Sequence, residues 1–120
     1  MRHLPVLFAM LAAVLVMMTG AARAAELVMV EAKGCAWCAK WHRDLGAIYG
    51  KTEEGRKLPL RIVHLETLPP DLRKIKGLRY APTFVALQCG REIGRIVGYN
   101  GDDMFWGELA EIAKKLKPAC

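Results

Sequence analysis

The hydrophobic pattern of the chain changes its period from segment to segment, and each change marks an element. The apolar run Leu27-Val28-Met29-Val30, bounded by turn formers at Lys33-Gly34, predicts a buried strand over Glu26 to Ala32. Cys38, Trp41, Leu45 and Ile48 then recur at helical spacing while Lys40, Arg43 and Asp44 fall between them. An amphipathic helix with those four residues inward is expected, ended by Gly50. Thr52-Glu53-Glu54 has the character of a capped extra turn before Gly55. Leu58 to Leu65, centred on Leu60, Ile62 and Val63, predicts a second strand. Pro69-Pro70-Asp71 opens a short helix that runs through Ile75 and Lys76 to Gly77.

Leu78 to Pro82 reads as a loop, Thr83 to Gln88 as a third strand, Cys89-Gly90 as a tight turn and Arg91 to Val97 as a fourth strand. Gly98-Tyr99-Asn100-Gly101 interrupts the alternation. Asp102 is then expected to cap a last helix whose inner stripe is Phe105, Leu109, Ile112 and Leu116. The order β-α-β-α-β-β-α predicts an α/β fold. Two parallel strands joined through a helix, followed by a hairpin and a covering helix, make a four-stranded mixed sheet with helices on both faces.

Composition changes the picture first at the N-terminus. Met1-Arg2-His3 is a basic start, Leu4 to Met18 is almost wholly apolar, and Ala22-Arg23-Ala24 fits the small-x-small cleavage rule. Residues 1–24 are therefore expected to be a cleaved secretory signal peptide and 25–120 one small domain; an uncleaved anchor is the alternative. Arg2 and Arg23 leave with the signal, so the formal charge falls from +6 to +4. A mild excess of this kind is a solvated surface, and no basic, aromatic-interleaved stripe points to nucleic acid. Cys35, Cys38, Cys89 and Cys120 all lie in the mature part, where export to an oxidising compartment permits disulfides.

The chemistry concentrates at Lys33-Gly34-Cys35-Ala36-Trp37-Cys38-Ala39-Lys40-Trp41. Two cysteines three positions apart at a helix start share a face and can close a small ring. The unpaired N–H groups and the positive dipole end of a helix N-terminus favour a thiolate, so the outer sulfur is expected to ionise below the ordinary thiol value of about 8.5. Cys35 is then the nucleophile and Cys38 the resolving thiol. Lys33 and Lys40 add positive charge, and Trp37 offers an apolar contact; solvated lysines and a partly buried indole are the plainer readings.

Three features together resemble the thioredoxin-like superfamily. The Cys-x-x-Cys pair follows the first strand, Gly77-Leu78-Arg79-Tyr80-Ala81-Pro82-Thr83 sits where thioredoxins carry their cis-proline loop, and Gly90 to Gly98 is similar to their closing hairpin. Cys-Ala-Trp-Cys-Ala-Lys-Trp-His, with Gly98-Tyr99-Asn100-Gly101-Asp102 ahead of Phe105-Trp106, resembles more narrowly the exported members associated with bacterial sulfur oxidation, the SoxS type. The element count is the minimal, glutaredoxin-like one. The resemblance implies a protein disulfide oxidoreductase with a cis bond at Pro82, substrate contacts from Ala81, Pro82, Thr83 and Trp37, and no cofactor.

The chain also departs from that pattern. Ala36 and Trp37 stand between the cysteines in place of glycine and proline. The buried aspartate of thioredoxin falls at Met29, which leaves Glu31 as a candidate base for Cys38 through a water. A surface pairing of Glu31 with Lys33 or Lys40 is the competing account. His42, four residues after Cys38, makes a zinc site with the two cysteines a formal rival, although no fourth ligand is evident; an exposed helix position is the plainer reading, and His64 is uncommitted.

Cys89 occupies a turn position that favours Asn or Asp. The fourth strand leaves that turn by about 26 Å and the last helix returns about 24 Å, so the chain end comes back near it. A structural Cys89–Cys120 disulfide is expected, against free thiols with Cys120 open to a partner. The function implied is a periplasmic, monomeric reductant of exported proteins with a disulfide or reactive cysteine, fed by a membrane thiol transporter. An oxidase or isomerase of folding proteins and a metal-binding or regulatory thiol module are the alternatives.

Overall fold

The computed structural model describes residues 25–120; the expected signal peptide lies outside the described residues. The chain runs β1 (Ala25–Glu31), α1 (Ala36–Trp41), α2 (Glu53–Lys57), β2 (Leu60–His64), α3 (Pro70–Arg73), β3 (Thr83–Gln88), β4 (Arg91–Val97) and α4 (Asp102–Ala113). One sheet holds the strands in the order β2-β1-β3-β4. β1 pairs parallel with β2, Leu27 opposite Leu60, and antiparallel with β3, Val28 opposite Val85; β3 and β4 form an antiparallel hairpin. Ile93 is the extra residue of a bulge opposite Ala86 and Leu87.

The period-2 alternation of β1 decides which core each residue joins. Leu27 and Met29 meet Trp41, Phe84, Phe105 and Leu109 on one face, while Val28 and Val30 meet Val63, Leu72, Val85 and Leu87 on the other. Leu27 to Val30 are all 0% exposed, and burying each such side chain stabilises by about 1.5–3 kcal/mol. The aromatic centre is Trp41, whose ring lies 5.4 Å from Phe84 and 5.7 Å from Phe105. Helices therefore cover both faces of a mixed four-stranded sheet.

The local readings need four corrections. After α1 the helix widens into a π-turn, His42–Gly46, and the extra residue per turn rotates the buried position from Ile48, 47% exposed, to Tyr49, 1% exposed. Gly55 does not end the capped turn: Thr52 caps α2, accepting from the Gly55 N–H at 3.0 Å, and Gly55 lies inside it. α3 stops at Arg73, short of Lys76. Gly101, at φ 100°, is the N-cap of α4 in place of Asp102, which begins the helix.

Candidate active site

β1 delivers the chain into Ala32-Lys33-Gly34, where Gly34 takes φ 68°, a left-handed turn that glycine adopts without strain. Cys35 is the N-cap of α1. Its carbonyl accepts from the Ala39 N–H at 3.1 Å, and its sulfur accepts from the Cys38 N–H at 3.1 Å. A thiolate at Cys35 would therefore meet a backbone donor already aimed at it. The two cysteines are disulfide-bonded with Cα atoms 5.2 Å apart. Cys38 faces the core, 4% exposed, whereas Cys35 is only half-buried, so Cys35 is the more accessible of the two.

The Ala81–Pro82 bond is cis. Pro82 is buried and its carbonyl accepts from the Gly98 N–H at 2.7 Å, while the Thr83 hydroxyl donates to the Tyr80 carbonyl at 2.7 Å. These two bonds pin the loop to the end of the hairpin. Ala81 and Cys35 pack against the same core cluster. Among the described residues neither backbone group of Ala81 has a hydrogen-bond partner. Trp37, between the cysteines, is 57% exposed, and Tyr80, two residues before Pro82, is 67% exposed.

Glu31 pairs with neither lysine. Its carboxylate bonds to Nε2 of His42, and both side chains line a shallow hollow of about 440 Å³ together with Cys35 and Cys38. Lys40 reaches Asp44 at 2.5 Å and lies 5.6 Å over the Tyr99 ring; the Lys33 N–H donates to Glu66 at 2.8 Å. The Lys40 hydrogen bond, aided by the Tyr99 hydroxyl, holds the Asp44 carboxyl below its usual range. His42, whose plainer sequence reading is an exposed helix position, is instead only partly exposed and held by Glu31. His64 is exposed, in register with Glu31 on the neighbouring strand. Among the described residues no group of three His, Cys, Asp or Glu side chains is placed to hold a metal ion.

Cys89 and Cys120 are disulfide-bonded, Cα to Cα 5.7 Å, at the end of β3 remote from Thr83. Cys89 adopts φ 55°, the conformation for which Asn or Gly is the usual choice. Beside it Gln88 exchanges two bonds with the Lys117 backbone, donating at 2.7 Å and accepting at 3.0 Å.

A partly buried cysteine at a helix start, backed by a buried second cysteine and placed on the same core as a cis-proline loop, makes this chain a thiol-disulfide oxidoreductase. No protein-family model and no curated protein matches it. Among solved structures it is similar to the periplasmic thioredoxin SoxS from Paracoccus pantotrophus in its reduced form. The two are 35% identical over 75% of this chain and 96% of that one, with a TM-score of 0.69. The thioredoxins of Malassezia sympodialis (20% identity, 75% of this chain and 76% of that one, TM-score 0.58) and Fasciola hepatica (21%, 72% and 79%, TM-score 0.58) share the fold. The chain belongs to the thioredoxin family.

Proposed function

We propose that the chain is an exported reductant: residues 1–24 direct it to the periplasm and are removed, and residues 25–120 reduce a disulfide or blocked cysteine on another exported protein. Cys35 attacks the partner's disulfide sulfur to give a mixed disulfide, and one partner sulfur leaves as a thiol. Cys38 then attacks Cys35, forming the internal disulfide and releasing the second. Ala81, Pro82 and Thr83 hold the partner's extended chain beside Cys35, the unpaired Ala81 backbone serving as a strand edge, while Trp37 supplies an apolar contact. Glu31 takes the proton of Cys38. The chain acts as a monomer. A sulfur-compound carrier protein with a reactive cysteine suits the likeness to SoxS, with a membrane thiol transporter returning electrons.

The observation that carries this reading is the unequal burial of two bonded sulfurs, with the outer one receiving the Cys38 N–H. A Cys38→Ala variant expressed with its leader should accumulate as a mixed disulfide through Cys35, and mass spectrometry identifies what it holds. A variant that traps no protein, or traps proteins equally well after Cys35→Ser, overturns the reading. A reductant also requires a potential near the thioredoxin value of about −270 mV; one near about −120 mV selects an oxidase instead.

A further inference from the structure

Alternation along β1 sends Leu27 and Met29 to the face covered by α1, and Glu31, two residues on, stands on that same face at the strand's end. Its side chain is 15% exposed, and that of His42 is 39% exposed. Two contacts and a close approach place the histidine ring. It meets Trp41 edge to face at 5.3 Å between centroids, its Nε2 bonds Glu31, and its Nδ1 lies over Gly46, where a Cβ would stand only 3.3 Å away. A carboxylate oxygen only accepts, so the hydrogen is assigned to Nε2 and the ring donates to Glu31 Oε1. The π-turn begins at His42, and such turns widen the spacing that a regular helix would impose on this ring.

None of Lys33, Lys40, Arg43 and His64, the other charged or titratable groups nearest this pair, lines the hollow beside Cys35 and Cys38. Lys40 and Tyr99 both bind Asp44, and the turn at Lys33 is tied through its N–H to Glu66. Glu31 and His42 are the polar side chains that line this hollow together with the two redox cysteines.

We propose that His42 is the positioning residue of the resolving step. Its Nε2–H holds one oxygen of Glu31 and leaves the other turned to the hollow, where it receives the Cys38 proton directly or through one water. This rests on the cysteine roles proposed above. In the step, Cys38 Sγ–H gives its proton to Glu31, and the freed electron pair forms the Cys38–Cys35 bond as the Cys35–partner bond breaks. The partner sulfur leaves with that bond's electrons and takes a proton from Glu31. The two cysteines end oxidised and the partner reduced, with two electrons transferred. The carboxylate returns to its starting state on its histidine hydrogen bond.

Ellman's reagent separates the two steps, because the reduced protein releases one coloured thiolate when Cys35 attacks and a second when Cys38 resolves the adduct. Glu31→Gln and His42→Ala should each slow the second release by about 10- to 100-fold, the lower range of what a placed proton acceptor contributes, and leave the first unchanged. His42→Gln, which retains a donor, should recover most of the rate. His42→Ala added to Glu31→Gln should slow the reaction no further, a result that a merely structural histidine would not give. If Glu31→Gln is slow but His42→Ala is not, or if the double variant is additive, His42 does not act through Glu31 and the inference falls while the cysteine roles stand. If Glu31→Gln is not slow, the proton goes elsewhere and the inference falls with it. A missing first release in the wild-type protein instead removes the proposed function itself.

Discussion

Gly55 lies so close to the backbone of Tyr49 that a Cβ on it would fall 1.9 Å from the Tyr49 carbonyl oxygen. That carbonyl also accepts the Thr52 hydroxyl at 2.7 Å, and the Tyr49 hydroxyl donates to the Leu58 carbonyl at 2.6 Å. The Tyr49 ring thus enters the core from a turn that closes only around a glycine. Gly55→Ala must displace backbone rather than a flexible side chain. Denaturant unfolding should show a loss of about 3 kcal/mol, the upper end of ordinary overpacking. A loss within about 0.5 kcal/mol, typical of an innocuous surface change, would refute the contact.

Tyr99 connects the loop before α4 to the redox helix, its hydroxyl donating to Asp44 at 2.9 Å across 55 residues of chain. Burial first, and the Asp44 carboxylate second, push its hydroxyl up to about 12; burial raises Tyr49 as well, helped by the charge of Glu54. The unfolded chain ionises at the ordinary tyrosine value of about 10. Above that pH the unfolded state loses protons the folded state retains, so stability is complete below about pH 10 and declines towards pH 12. Tyr99→Phe should flatten this decline in pH-dependent melts, at a neutral-pH loss of about 1 kcal/mol for the hydrogen bond. An unchanged alkaline slope would show that Tyr99 does not carry it.

Much of this molecule was legible because its signals are local. β3 and β4 run between the residues that alternation and the Cys89-Gly90 turn indicate, and the Cys-x-x-Cys pair opens a helix where the first apolar run ends. What was not legible depends on partners distant in sequence or on a changed helical period. Nothing in His42-Arg43-Asp44-Leu45-Gly46 announces a π-turn, so a 3.6-residue period places Ile48 inward one residue too early. Pairing Glu31 with a lysine follows from charge alone. The actual partner, His42, is set by the direction β1 takes beneath α1, which spacing within either element does not contain.

Trp37 and Tyr80 are the large exposed apolar side chains nearest in sequence to the two halves of the site, the redox pair and the cis-proline loop. An exposed aromatic next to the redox pair in sequence and another just before the cis-proline suit a protein substrate better than a small disulfide, which needs only the sulfur. Trp37→Ala and Tyr80→Ala should each raise the KM for a protein disulfide, together by about 10-fold, the scale of a modest interface anchor. Release of the first thiolate from Ellman's reagent should not change. Equal slowing with both substrates would place these rings in the support of Cys35 and not in recognition.

The Cys89–Cys120 disulfide closes a segment with a sequence separation of 31 that contains the β4 strand and all of α4. In the chain-entropy account a loop of that length restricts the unfolded state by about 3 to 4 kcal/mol. The paired bonds between Gln88 and the Lys117 backbone already hold the tail in the same position, so a cut disulfide should leave the folded geometry in place. Its effect is then on the unfolded ensemble, and Cys89 lies six residues from Thr83, just past the far end of β3, about 20 Å at strand rise. Replacing Cys89 and Cys120 together with Ala should therefore lower unfolding stability by about 2 to 4 kcal/mol and leave the alkylation rate of Cys35 at its wild-type value. A double variant as stable as the wild type would show that the C-terminal cysteine does not staple the hairpin; one with altered Cys35 reactivity would show that the two ends of the sheet communicate.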